Sequence, residues 1–90
     1  MSSAFSLTPL QLRILRFFQE QPHAIETGRG IATWLGDEQR SIEKALEGLV
    51  GRKWLAMHET AAVTGYALTR DERFLTQIRE VLEDPSCGAS

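Results

Sequence analysis

Apolar residues recur at helical spacing in four stretches of the chain and alternate as in strands in two others. The clearest stripe runs through Ile42, Ala45, Leu46, Leu49 and Val50, at i, i+3, i+4, i+7 and i+8. Asp37 precedes it, where a carboxylate suits the first turn of a helix. Arg40, Lys44 and Glu47 fall on the opposite face, with Ser41 beside them. Upstream lies the short apolar segment Ile31-Ala32-Thr33-Trp34-Leu35, closed by Gly36, a residue suited to a left-handed helix end. This segment is predicted to be a helix capped by Thr27 and packed through Ile31, Trp34 and Leu35. Gly28 and Gly30 weaken its first turn by roughly 1 kcal/mol each relative to alanine.

The first helical stretch has a well-marked start. Thr8 is placed as N-cap, Pro9 as N1 and Gln11 as N3, which makes a capping box. Leu10, Ile14, Phe17 and Phe18 line one side, and Pro22 closes the helix. A short strand is expected around Ile25. Leu55 and Met57 alternate with Ala56 and His58, as in a strand with one face inward, and Tyr66 and Leu68 share one face of a second strand. Ala61 to Gly65 joins the two as a turn. Thr69, with Glu72 three residues on, predicts a second capping box before a last helix carrying Phe74, Leu75, Ile78, Val81 and Leu82.

The order is three helices, a two-stranded hairpin and a final helix. The short helix, glycine turn and amphipathic helix resemble a helix-turn-helix, and the hairpin supplies a wing. The expected fold is therefore mainly α (α+β), a winged helix-turn-helix. Residues 1–84 form its single domain, and 85–90 read as a disordered tail. The chain resembles the winged-helix transcriptional regulators of the MarR and ArsR type. The resemblance rests on LTPLQLRILRFF, IATWLG, SIEKALEGLVGRKWLAMHE and YALT, in that order. Three positions depart from the family pattern. Glu38 stands where a serine or threonine usually opens the third helix. The wing, Ala61-Ala62-Val63-Thr64-Gly65, has no arginine or lysine. Trp54 stands where glycine is common.

Composition modifies this picture. At 90 residues and 42% hydrophobic content the chain fills one modest core. Its net charge of −2 argues against tight, sequence-independent DNA binding, which draws on phosphate neutralisation. No apolar run reaches the length of a membrane span, and MSSAFSLTPL lacks the pattern of a signal peptide. The single cysteine, Cys87, has no disulfide partner in the chain, so a reducing, cytoplasmic setting is expected. His23 and His58 lack neighbours at metal-ligand spacing, Gly28 and Gly30 form no phosphate loop, and no nucleophile stands in an elbow or triad. Neither a cofactor nor an enzyme activity is expected.

The resemblance implies base or phosphate contacts for Gln39, Arg40, Ser41 and Lys44. Glutamine matches adenine, arginine matches the O6/N7 edge of guanine, and serine and lysine suit phosphates. Thr27 and Arg29 offer a helix N-terminus and a cation for a further phosphate. The competing reading is a solvated face closed by Arg40–Glu43 and Lys44–Glu47 pairs. The apolar surplus of the last and first helices predicts a two-fold homodimer through Leu10, Phe17, Phe74, Leu75, Ile78 and Leu82. The reading is thus a sequence-specific regulator on a palindromic double-stranded DNA site. Its rival is a protein-docking winged helix that binds DNA weakly, favoured by the negative charge and bare wing.

Overall fold

The computed structural model describes residues 7–83. Its elements are α1 (Pro9–Glu20), β1 (Ile25–Thr27), α2 (Gly28–Leu35), α3 (Gln39–Gly51), β2 (Leu55–Glu59), β3 (Thr64–Leu68) and α4 (Glu72–Glu83). The expected tail from Pro85, with Cys87, lies outside the described residues. No helix among the described residues is long and apolar enough to cross a membrane.

Local chemistry sets most of the boundaries. The Thr8 hydroxyl accepts from the Gln11 N–H and the Gln11 side chain accepts from the Thr8 N–H, both at 3.1 Å, so the capping box of α1 forms. Helix α1 stops at Glu20, two residues before Pro22. Thr27 caps α2 by accepting from the Gly30 N–H at 2.9 Å. Gly36 ends α2 at φ 68°, a conformation that costs a glycine nothing sterically.

Two caps differ from expectation. The N-cap of α3 is Glu38, and its side chain makes no capping bond. Asp37 stands one residue too early. Its Oδ1 accepts from the adjacent Glu38 N–H, and its Oδ2 faces Arg13 Nη1 at 3.3 Å. At the last helix, Thr69 accepts only from the Asp71 N–H, and Asp71 takes the capping place. Its carboxylate accepts from the Arg73 N–H and its carbonyl from those of Phe74 and Leu75. Hydrogen bonds from Arg73, first its side chain and then its backbone, hold the Asp71 carboxyl below the usual range.

The wing is part of a three-stranded antiparallel sheet, not an isolated hairpin. The order is β1-β3-β2, with Ile25 opposite Ala67 and Glu26 opposite Tyr66 on one side of β3, and Met57 opposite Tyr66 on the other. The short strand at Ile25 thus anchors the start of α2 to the wing. Only Leu55 of β2 is buried, and Met57 is largely exposed. The alternation expected of this strand is lost because its outer half extends past the helices.

The core gathers where α1, α2 and α3 meet. Ile14, Leu15, Phe18, Ile31, Ile42 and Leu46 are each fully buried. Trp54 is buried too, and its indole N–H donates to Gln77 Oε1 at 3.1 Å, tying the end of α3 to α4. Trp34, assigned to the core by its spacing, is 62% exposed. Its ring lies against that of Phe17, with centroids 5.6 Å apart.

Candidate nucleic-acid interface

Helices α2 and α3 are joined by a turn of Gly36, Asp37 and Glu38, and Arg13 of α1 fastens that turn. Its guanidinium donates to the Leu35 carbonyl at 2.7 Å and pairs with Asp37. The angle between the two helices therefore rests on α1 as well as on the apolar seam. The inner stripe of α3 is buried as its spacing predicts: Ile42, Ala45, Leu46 and Leu49 face the core, and Val50 is half-buried. Burying one side of an amphipathic helix commits the other to solvent. At about 100° per residue, Gln39, Arg40, Glu43, Lys44 and Glu47 share that outer strip; all five are exposed.

The start of α2, the outer strip of α3 and the wing converge on one groove. Thr27, Gly28, Arg29, Gln39, Glu43, Val63, Thr64 and Tyr66 line it. Thr27 at the end of β1, Arg29 of α2 and Gln39 of α3 are thus brought together. Arg40 and Lys44 lie on the adjoining part of the α3 face. Ser41 turns aside: it is half-buried, and its hydroxyl donates to Glu38 Oε1 at 3.5 Å.

The charges on this face settle one question that spacing left open. The side chains of Arg29, Arg40 and Lys44 make no ion pair or hydrogen bond with any described residue. The Arg40–Glu43 and Lys44–Glu47 pairs do not form. Glu43 instead accepts from Gln39 Nε2 at 2.9 Å. The Tyr66 hydroxyl pKa is pushed up from its ordinary value, by burial first and then by the charges of Glu43, Glu47 and Glu59. The face therefore holds three cations on the helices, unpaired among the described residues, and a gathering of carboxylates toward the sheet. Glu43 and Tyr66 were absent from the expected set. The i, i+4 spacing of Gln39 and Glu43 was the available signal for the first; nothing in the sequence pointed to the second, which reaches the groove only through strand pairing.

The wing tip closes on itself. The Thr60 hydroxyl accepts from the N–H groups of Ala62 and Val63 and donates to the Val63 carbonyl. Those two backbone donors are thereby spent within the turn.

Of the residues expected at a dimer interface, Phe17, Ile78 and Leu82 belong to the core of the single chain. Their apolar surface is already buried there, so they add little to a partner face. Leu10, Phe74 and Leu75 are half-buried. A concavity of about 440 Å³ between the end of α1 and the start of α4 has Leu68, Leu75 and Ile78 in its wall and His23, Arg70 and Arg79 around it. Among the described residues no group of three or more His, Cys, Asp or Glu is placed to hold a metal.

These features define a winged helix-turn-helix. Solved structures place it more narrowly, since the fold matches winged-helix regulators of the MarR family over most of the chain. One match is a mutant of ZitR from Lactococcus lactis, with a TM-score of 0.67 and 25% identity, covering 89% of this chain and 53% of that one. Another is wild-type ZitR in complex with DNA, with a TM-score of 0.64 and 27% identity, covering 88% of this chain and 53% of that one. The adhesin competence repressor AdcR of Streptococcus pyogenes shares the fold at a TM-score of 0.63 and 24% identity, over 83% of this chain and 57% of that one. The chain spans between about half and two thirds of the length of the ZitR chains it matches. Comparison of the sequence with protein-family models and with curated proteins finds no match.

Proposed function

We propose that this chain is a transcriptional regulator that binds double-stranded DNA sequence-specifically, with α3 in the major groove. The observation that carries the reading is the set of three cations, Arg29, Arg40 and Lys44, projecting from the helix-turn-helix without an ion-pair partner among the described residues. The likeness to a ZitR structure bound to DNA supports the same reading. In this arrangement Gln39 and Arg40 reach base edges, Lys44 meets a phosphate, and Thr27 and Arg29 hold another at the start of α2. Ser41, at the margin, touches the backbone only.

Each subunit offers few phosphate contacts and its wing none that is charged. Useful affinity then calls for two copies on a palindromic site, with their α3 helices about 34 Å apart. Leu10, Phe74 and Leu75 are the apolar residues available for the homodimer contact. The setting is the reducing cytoplasm, and no cofactor takes part. The test is a titration against a randomised duplex pool at low salt: selective binding is expected, and unselective or undetectable binding would sink the reading. A second reading, a module that docks a protein, draws on the exposed Trp34 and the net charge of −2. It gains if the DNA titration fails.

A further inference from the structure

Glu43 lies in the part of the face that would meet DNA, where a carboxylate is costly beside phosphates. Two contacts hold it there. Gln39 Nε2 donates to Glu43 Oε2 at 2.9 Å, one helical turn away. Its stem also runs along the bare backbone of Gly28: a Cβ added to Gly28 would stand 2.9 Å from Glu43 Cγ and 3.3 Å from Oε2. Glu43 is thus wedged between the first residue of α2 and the side chain of Gln39, although its residue as a whole is exposed.

The chemistry of the pair fixes the orientation of Gln39. An ionised carboxylate only accepts, so the amide nitrogen, and not the amide oxygen, must face it. One amide hydrogen goes to Glu43. The Oε1 acceptor and the second amide hydrogen are left for an outside partner. That couple matches adenine, whose N6 donates and whose N7 accepts in the major groove. A free glutamine rotates its amide and presents either order. Held by Glu43, it presents one.

We propose that Glu43 is a positioning residue that sets Gln39 to read adenine, and that its repulsion of the DNA backbone is the accompanying cost. The proposal rests on the DNA-binding reading above. It separates two roles of the carboxylate, acceptor and charge, which substitutions can split. Glu43→Gln keeps an acceptor and removes the charge. Glu43→Ala removes both. Gly28→Ala keeps the charge and forces the Glu43 stem to move.

The experiment measures binding of the full chain to its selected duplex and to duplexes changed at one base pair at a time. The wild type is expected to prefer adenine at one position by about tenfold or more. Gln39→Ala should abolish that preference and no other. Glu43→Ala and Gly28→Ala should reduce it to about twofold, Glu43→Ala with tighter binding to every duplex. Glu43→Gln should keep most of the preference and also bind every duplex more tightly. Thermal melts confirm that each variant is folded; Glu43→Ala and Glu43→Gln alone suffice if Gly28→Ala is not. Full retention of the preference in Glu43→Ala would overturn the proposal, as would equal loss in Glu43→Gln and Glu43→Ala. If wild type is selective but Gln39→Ala changes nothing, only this proposal fails. If wild type binds no duplex at low salt, the DNA-binding reading fails with it.

Discussion

Helix α3 and the wing border the same groove, yet they are built in opposite ways. The outer strip of α3 carries Arg40 and Lys44 with their charges open. The wing tip has only small neutral residues, and Thr60 uses up the backbone donors of Ala62 and Val63. One element is a helix anchored by a buried stripe of four residues on its other side. The other is a self-satisfied turn. Of the two, α3 carries charged side chains along its outer strip and the wing tip carries none. On the DNA-binding reading proposed above, such a surface gains selectivity before it gains affinity, because base edges would be met by several side chains and phosphates by few.

The sharpest way to break that contrast is to separate the two copies of the proposed homodimer. Leu75→Glu puts a charge into the half-buried patch at the start of α4. We expect a species of monomer mass in sedimentation and near-complete loss of selective binding; a dimer that persists with its affinity intact would move the interface elsewhere. Next in size is Arg40→Ala, expected to cost roughly 1–3 kcal/mol on the selected site and to relax preference at one base pair. An even loss across all sequences would make Arg40 a phosphate contact. Thr27→Ala removes the cap of α2 and should cost about 1 kcal/mol of stability, read in a denaturant titration. The smallest effect is expected from Val63→Arg, which gives the wing the charge it lacks. The plot of log K against log salt should steepen by about one unit. Coincident slopes would mean that the wing does not approach DNA.

The sequence made some of this arrangement legible and hid other parts, for physical reasons. The stripe of α3, the capping box of α1, the cap at Thr27 and the turn at Gly36 are all local, and each forms as spacing and residue type indicated. Asp37 and Thr69 were misassigned because several polar residues stand together before each helix. The choice between neighbours was made by a distant partner at the first, Arg13 for Asp37, and by a local one at the last helix, where Asp71 pairs with Arg73 two residues on. Trp34 looked like core because it continues an apolar run, but α2 has only eight residues and its last turn projects past Phe17. In the groove, Arg29, Gln39, Arg40 and Lys44 were visible one at a time. Which of their charges would pair could not be read from spacing, since Glu43 had Gln39 and Arg40 equally within reach along the helix.

Lys53 has a consequence for how this small fold could be altered. It is the one non-glycine residue at positive φ among those described, at 65°, just where α3 gives way to β2. Its N–H bonds to the Val50 carbonyl, and the next N–H, of Trp54, reaches back to Leu49. That hook swings the chain so that the indole drops inward. A side chain in this conformation costs roughly 1–2 kcal/mol, part of which glycine would return to the unfolded chain as added freedom. Lys53→Gly should therefore raise the melting temperature by a few degrees. The residue sits at the far end of α3 from Gln39 and Arg40. The junction is thus a tolerance reserve: stability gained there would offset the loss from a substitution on the outer strip of α3, so that this strip can be varied without first unfolding the domain.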